Sequence, residues 1–546
     1  MQIKRARFIS GRFITTRTYL PLGKYILHTA YSSTGKYPDK LQWLDTYLDT
    51  PEMKSIDKIL DQNPDIICFS MYVWSAPYMV KIAQYLRDRA PNAVFIAGGA
   101  DIRHQTHEQY MQDHPWFDYV IYGAGEDAFV KLIDLLFEQK TTDLDLLNVP
   151  NLIYRNKKGH VVKTRHEVYK GTAFSDVSPW LLHEHEVRKD AAYITDVCKS
   201  ELHAAWEPDR GCPYKCSFCD WGYGLHNKVT KKKYRFEQEL ELFKQLDAHI
   251  HITAANVGMF PEDIDYMTYI YTLGIKHNEP SWAKNHKNRV KEIWQKQIDI
   301  TGQLSAFTSL QSINQTVLDN IDRPCMPWTE VKSLLLDFRK QGHKVEFYPE
   351  IIVGLPGETV ETWDHMMHEF IDMFPLQWLR QYEWVVLPNS PGGSQEYQER
   401  LEMDVRSTRN PHASSHVVKD FTGLSCEKVM HLLNRDQDDL FSGVTDALWG
   451  SYSNGVVDKL YMAIAAGTIA YLANRYNQNP KVVKKLYDSL KPKMLARARL
   501  DADMFSGYYQ RYGQMTSFVL DQGKLYNYAI FWPSEAGLKL LSSVKA

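Results

Sequence analysis

Long apolar runs, a charge of one dominant sign and a disulfide-grade cysteine content are all missing from this chain. The longest apolar stretch, LYMAIAAGTIAYLA (460–473), falls short of the roughly 20 residues that span a bilayer and reads as a buried helix. The basic opening MQIKRARFISGRFITTRTYL has neither an apolar run nor a small-residue cleavage site, so no secretory leader is expected. A formal net charge of −2 gives no whole-chain reason for capture by nucleic acid or an anionic membrane. Seven cysteines in 546 residues exclude a disulfide scaffold and suit a reducing cytoplasm. No internal repeat or low-complexity tract is present.

What is present is an ordinary globular balance, 44% hydrophobic and 24% charged, in a chain long enough for about two to four domains. DIICFSMYVWS (65–75) reads as a buried parallel strand, and APYMVKIAQYLRDRAP as the helix after it. AVFIAGGADI (93–102) is a second strand ending in glycines. DYVIYGAGEDAFVKLIDLLFEQ supplies a third strand, a Gly123–Gly125 turn and an amphipathic helix. Strands alternating with helices, with glycines at the strand ends, predict a doubly wound α/β domain over residues 1–145. GKYILHTAYSS is the weak candidate for its first strand. NLIYRNKKGHVVKTR (151–165) predicts a hairpin with a Lys-Gly turn, within a connector over 146–200.

A second α/β series occupies 201–400. It includes a helix near FEQELELFKQL, strands HIHITAANVG and QLSAFTSLQS, helix TEVKSLLLDFRKQG, and strands KVEFYPEIIVGLPGE and LRQYEWVVLPNS. Repeated βα units at this spacing favour a barrel or partial barrel. Residues 401–546 are expected to be mostly helical.

Four cysteines, Cys68, Cys198, Cys325 and Cys426, are scattered; the other three crowd into GCPYKCSFCDWG (211–222). The spacing C-x3-C-x2-C lets Cys212, Cys216 and Cys219 converge on one centre. A structural zinc with His226 as fourth ligand is one outcome, and chance clustering of buried thiols another. Neither accounts for the loop standing at the head of a βα series, nor for Phe218 between the last two cysteines. A 4Fe–4S cluster with three protein ligands and one open iron accounts for both.

RGCPYKCSFCDWG resembles the signature loop of the radical S-adenosylmethionine (radical SAM) enzymes. In that superfamily the open iron takes the methionine part of S-adenosylmethionine, and one electron releases a 5′-deoxyadenosyl radical. The resemblance extends in order through TAANVG (253–258), TSLQSINQTVLDNIDR (308–323) and EIIVGLPGET (350–359). It implies S-adenosylmethionine contacts from Phe218, Trp221, Asn256, Ser309, Gln311, Gly354 and Leu355, with Ser312 a further polar candidate. GLPGE alone is also a common strand-exit turn, and a single Asn or Gln at a strand end is commonly a satisfied polar residue.

The segments DIICFSMYVWS, IAGGAD and DYVIYGAGEDAF resemble the cobalamin-binding domain of the class B radical SAM enzymes. The resemblance implies that Ser70, Gly98, Gly99, Gly123, Gly125 and Glu126 line a groove for the nucleotide tail of cobalamin. The motif D-x-H-x-x-G, which supplies a cobalt-ligating histidine elsewhere, is absent, so Tyr72, Val73 and Trp74 are assigned to the lower face of the corrin. The alternative is a doubly wound domain used only for packing.

Over residues 20–395 the resemblance implies a cobalamin-dependent radical SAM enzyme. Its expected activity is methyl transfer to an unactivated carbon of a small molecule or peptide, fed by a flavodoxin- or ferredoxin-type reductant. Radical rearrangement or cyclisation without methyl transfer, and a non-catalytic zinc-stabilised binding protein, are the alternatives. No residue is assigned a direct catalytic role, and Glu350 and His343 have only position to recommend them as bases.

Overall fold

The computed structural model describes residues 2–10, 17–48, 53–72, 75–168, 176–221, 229–232, 236–280, 287–373, 379–384, 386–387, 389–409, 446–451, 457–458, 461–462, 465–466, 468–469, 479–512, 518–521 and 524–527. It divides into two compact units. The first holds Met1–Pro213, Trp221–Ala255 and Ile275–Asn278; the second holds Tyr214–Asp220, Asn256–Gly274 and Glu279–Ala546.

The first unit is built on an eight-stranded sheet. Its strands are β1 (Lys4–Ser10), β3 (Leu41–Trp43), β4 (Tyr47–Leu48), β5 (Ile66–Ser70), β6 (Val94–Gly98), β7 (Tyr119–Ile121), β8 (Leu152–Arg155) and β9 (Val161–Lys163), in the order β3-β1-β5-β6-β7-β8-β9 with β4 also on β1. Pairing is parallel from β3 to β7 and antiparallel along β7-β8-β9. The β8–β9 turn is the expected hairpin. Asn156 Oδ1 accepts from the amides of Lys158 and His160, and Gly159 takes the positive φ of +81° that the turn requires.

The first strand is not GKYILHTAYSS. That segment is the helix Leu22–Thr34, with Tyr25, Thr29, Ala30 and Tyr31 buried, a helical rather than alternating spacing. The strand is β1, KRARFIS, concealed by its basic residues. Arg7 is 6% exposed, and its guanidinium donates to the carbonyls of Asp45 and Asp61 at 2.9 and 2.7 Å, so the charge is carried inside on backbone oxygens. One face of the sheet is covered by this helix and by Glu126–Glu138. Tyr31, Phe129, Ile133 and Phe137 form part of that core, each worth about 1.5–3 kcal/mol of transfer free energy.

The same unit carries a smaller parallel sheet, β13-β10-β2, made of β2 (Arg17–Tyr19), β10 (Glu201–Trp206) and β13 (His249–Ile252), and the antiparallel pair β11 (Asp209–Arg210) and β12 (Thr230–Lys231). Helix Glu237–Gln245 leads into β13. Trp206, at the end of β10, donates to Glu239 at 2.9 Å, and Ser178 donates to the same carboxylate at 2.5 Å.

In the second unit β14 (Gln303–Gln311), β15 (Lys344–Val353) and β16 (Arg380–Glu383) form a parallel sheet with β15 central. Helices Gln315–Asn320, Trp328–Lys340 and Val360–Asp372 alternate with these strands, as the βα reading requires. β16 is shorter than LRQYEWVVLPNS suggested. TAANVG follows β13 as a loop instead of extending it. Beyond residue 400 the long helix Pro480–Tyr512 is accompanied by two antiparallel strand pairs, Asp404–Arg409 with Asp446–Ser451 and Phe518–Asp521 with Lys524–Asn527, so the described part of this region is less uniformly helical than expected. Among the described residues no helix is long and apolar enough to cross a membrane.

Candidate functional site

In the first unit the three central strands end level. Ser70 pairs with Gly98, and Gly98 with Ile121. The carboxyl edge of a doubly wound sheet is where such folds take ligands, and it gathers Ser70, Gly98, Gly99 and the 123–126 turn in one place. Their glycines differ in kind. Gly99 has φ +138°, and a Cβ there would stand 2.1 Å from Met71 O and 2.8 Å from Met71 C, so the backbone crossing itself demands glycine. A Cβ on Gly98 would meet nothing nearer than Ile121 O at 3.6 Å, and one on Gly125 nothing nearer than Ile121 Cγ2 at 3.5 Å. A Cβ would fit at those two positions in ordinary contact with its neighbours, so the local packing does not itself require glycine there. Gly123 turns with φ +69°.

Glu126 opens its helix but is buried, where its carboxylate accepts from Arg210. Arg210 also grips Glu207 with two bonds of 2.8 Å. Burial alone would discourage the guanidinium charge; the two carboxylates outweigh it and hold Arg210 protonated. Tyr72 is 37% exposed. Val73, Trp74 and His226 lie outside the described residues.

Cys212 follows β11 in the first unit and is 4% exposed, and Cys216, in the second, is 3% exposed. None of the three loop cysteines is in a disulfide. In the second unit Cys219 N–H closes a turn on Cys216 O at 3.0 Å. Ser217 between them is tied on three sides. Its amide donates to Ile321 O at 2.9 Å, its carbonyl accepts from Gly392 N–H at 2.8 Å, and its hydroxyl lies 2.7 Å from Tyr397 Oη. Gly392 is obligatory at this approach, since a Cβ would fall 2.7 Å from Trp384 Cζ2 and 2.9 Å from Ser217 O. Asp220, after the last cysteine, is pushed up to about 6 by burial.

Beside this turn the second unit assembles several polar groups at the end of β14. Gln311 has φ +65° at a β-bulge, and its Oε1 is buried with no hydrogen-bond partner among the described residues. Ser309 accepts from Arg323 through its carbonyl and, at 3.3 Å, through its hydroxyl. Arg323 is 5% exposed and stands 5.6 Å from the centre of the Phe218 ring; its Nε has no partner among the described residues. Ser312 donates to Glu358 at 2.5 Å, and burial raises that carboxyl above its usual range against the pull of Ser312 and Thr362. Asn256 is buried in the loop after β13. Gly354 leaves β15 with φ +89°, while Leu355 is wholly buried in the core with Ile321 and Trp384.

Trp221 is 41% exposed, in the first unit. Glu350 lies on β15, and His343 precedes that strand at the end away from Gly354. Sequence reasoning missed Arg323, Arg210 with its two glutamates, and the Tyr397–Gly392 anchor. The available signal was small: an arginine before the proline in NIDRPCM, and a Gly-Gly after LPNSP.

The donors fit the two groups that the sequence implied. Cysteine thiolates are the donor type that a 4Fe–4S cluster takes, and a strand end that carries no side chain at Gly98 suits an extended tail along the sheet edge. A doubly wound sheet preceding a βα series that opens on C-x3-C-x2-C is the layout of the class B radical SAM proteins. The family described as B12 binding domain matches residues 19–133. The chain is 29% identical over 355 residues to the cobalamin-dependent radical SAM methyltransferase TokK of Streptomyces tokunonensis, covering 63% of this chain and 50% of that protein. It spans about half the length of the curated relatives it matches. The fold is shared with the cobalamin-dependent S-adenosylmethionine radical enzyme OxsB (TM-score 0.57, 13% identity, 99% of this chain and 78% of that one). It is shared also with the radical S-adenosylmethionine methyltransferase TsrM of Kitasatospora setae (TM-score 0.56, 12% identity, 92% of this chain and 100% of that one). In its matched segment and its curated relatives the chain resembles the class B radical SAM proteins.

Proposed function

We propose that this protein is a cobalamin-dependent radical SAM methyltransferase acting on an unactivated carbon of a small molecule or peptide, within a reducing cytoplasm. The observation that carries the reading is the anchored cysteine turn, found in a chain whose 19–133 segment matches a B12 binding domain. The likeness to TokK supports it. Cys212, Cys216 and Cys219 would hold a 4Fe–4S cluster with S-adenosylmethionine on its open iron, and with cobalamin these groups supply radical generation and methyl transfer.

The chain's own residues hold and orient. Arg323, buried and with Nε unengaged among the described residues, is suited to a carboxylate such as that of the methionine moiety. Gln311 Oε1 offers an acceptor to an amine or ribose hydroxyl. Phe218 and the backbone at Gly354 and Leu355 form apolar and turn surfaces for the adenosyl group, with Asn256 and Trp221 as further contacts. Ser70, Gly98, Gly99, Gly123 and Gly125 would receive the cobalamin tail, and Tyr72, Val73 and Trp74 the lower face of the corrin. Glu126 would act through Arg210. An external one-electron reductant of flavodoxin or ferredoxin type would supply electrons.

The test is anaerobic reconstitution with iron and sulfide, then addition of hydroxocobalamin, S-adenosylmethionine and dithionite. The expected result is about four irons per chain and release of 5′-deoxyadenosine and S-adenosylhomocysteine, both lost in Cys216→Ala. Stoichiometric zinc without iron would overturn the reading. 5′-deoxyadenosine without S-adenosylhomocysteine would replace methyl transfer with rearrangement or cyclisation.

A further inference from the structure

Toward the amino end of β10, away from the strand end that leads to Cys212, three metal-type side chains converge that the proposed reaction does not use. His203 on β10 and His249 on β13 are register partners in the parallel pair. Their rings stack at 4.7 Å with 13° between planes. Glu201 stands two residues before His203, so its side chain shares that face of the strand. Its two oxygens divide between the histidines: Oε2 is 3.3 Å from His203 Nε2, and Oε1 is 3.7 Å from His249 Nδ1. One donor atom from each of the three lies within 4.8 Å of the others.

We infer that Glu201, His203 and His249 form a site for a zinc-class divalent cation. The donor separations, each to a different oxygen of Glu201, are compatible with an ion site. A direct N–H···O bond to a carboxylate is about 2.7–2.9 Å long, shorter than either separation here. Two ligands at 2.0–2.1 Å from a tetrahedral ion stand about 3.4 Å apart, between the two observed values.

The surroundings prepare the donors. His249 Nε2 lies 2.8 Å from Asn278 Oδ1. An amide oxygen only accepts, so Nε2 carries the proton and Nδ1, the nitrogen facing Glu201, keeps its lone pair. The Asn278 amide nitrogen is in turn bonded to His251 Nδ1, and the ring of Tyr19 packs 5.1 Å from that of His203. His203 is 2% exposed at the side chain, His249 24% and Glu201 49%, so the site is walled on one side and wet on the other. Two imidazoles and one carboxylate favour zinc over calcium or magnesium, which prefer all-oxygen shells. The bound ion would pin β10 to β13.

The test uses tag-free full-length protein reconstituted with iron and sulfide, exposed to micromolar zinc sulfate and desalted. The expected result is one zinc per chain by mass spectrometry, with only nitrogen and oxygen at about 2.0–2.1 Å in the zinc X-ray absorption spectrum. Glu201→Gln and His249→Ala are each expected to lower retained zinc at least tenfold while iron per chain and far-UV circular dichroism stay unchanged. No zinc on the wild-type chain, zinc retained equally by both variants, or sulfur in the first shell would each overturn the inference. The wild-type spectrum decides even if a variant fails to fold, and none of these readouts depends on methyl transfer.

Discussion

Gly98 and Gly99 are adjacent, yet a methyl group added to each is expected to damage different properties. In Gly98→Ala the new methyl meets only Ile121 O at 3.6 Å and Ile121 Cβ at 4.0 Å, ordinary contact distances. Alanine also restricts the unfolded chain, worth about 0.4–1 kcal/mol where the native conformation permits it, so stability should hold or rise slightly. The methyl stands instead at the strand end proposed to receive the cobalamin tail, and a tenfold or greater loss of cobalamin affinity is expected, about 1.4 kcal/mol. In Gly99→Ala the methyl would fall 2.1 Å from Met71 O at φ +138°. Relief requires a backbone shift of about 1 Å or more, which strains the Met71 N–H···Gly98 O and Asp101 N–H···Met71 O bonds of 2.8 and 3.1 Å. A cost of about 3 kcal/mol is expected. Urea unfolding of the cobalamin-free chain measures stability, and absorbance titration with hydroxocobalamin measures affinity. Wild-type cobalamin binding by Gly98→Ala would refute the groove, and wild-type stability of Gly99→Ala would refute the tight crossing.

Arg323→Met should retain iron at the wild-type level while 5′-deoxyadenosine release falls at least a hundredfold, with Arg323→Lys intermediate; equal loss of iron would make Arg323 a packing residue only. Glu239→Ala leaves Lys232 buried beside the vacated position and strips Ser178 and Trp206 of their acceptor. It should cost about 3–5 kcal/mol in urea unfolding, a reading that a change below 1 kcal/mol would contradict. His28 and His183 stack at 3.7 Å; burial first, then neighbouring positive charge, lowers His28 to about 3, and burial lowers His183 to about 4 against the opposing pull of Glu186. Below about pH 6.5 the unfolded chain takes up protons that the native one refuses, so stability should fall as pH drops from about 6.5 toward 4. Urea midpoints at pH 7, 6, 5 and 4 measure this, and His28→Gln should flatten the slope; an unchanged slope would show that the pair is not responsible.

The cysteine loop and the strand-end glycines were legible because their signals are local: a fixed spacing, or small residues after a continuous apolar run. Most βα elements were legible for the same reason. β1 was not, since KRARFIS looks like a solvated basic segment until Arg7 is seen resting on two carbonyls. Leu22–Thr34 mixes tyrosine, threonine and alanine in a way that suits strand and helix alike, and packing against Glu126–Glu138 decided it. Arg323, Tyr397 and the Glu201–His203–His249 group are products of long-range pairing. His203 and His249 become neighbours only through the β10–β13 register, which no local pattern reveals. The pair Asp404–Arg409 with Asp446–Ser451 was hidden because its partners lie far apart in sequence, whereas Phe518–Asp521 and Lys524–Asn527 are only two residues apart and were a local signal left unread.

The three-way tether on Ser217 carries a lesson for biosynthesis. Its partners, Ile321, Gly392 and Tyr397, emerge from the ribosome long after the thiols they brace. At a translation speed of roughly 5–20 residues per second, the interval from Ser217 to Tyr397 is about 10–40 s, during which the cysteines are in solution without their scaffold. Adventitious metals or oxidants have that window to reach the thiols before the brace is in place. Slowing iron supply relative to chain completion should raise the fraction of correctly loaded protein.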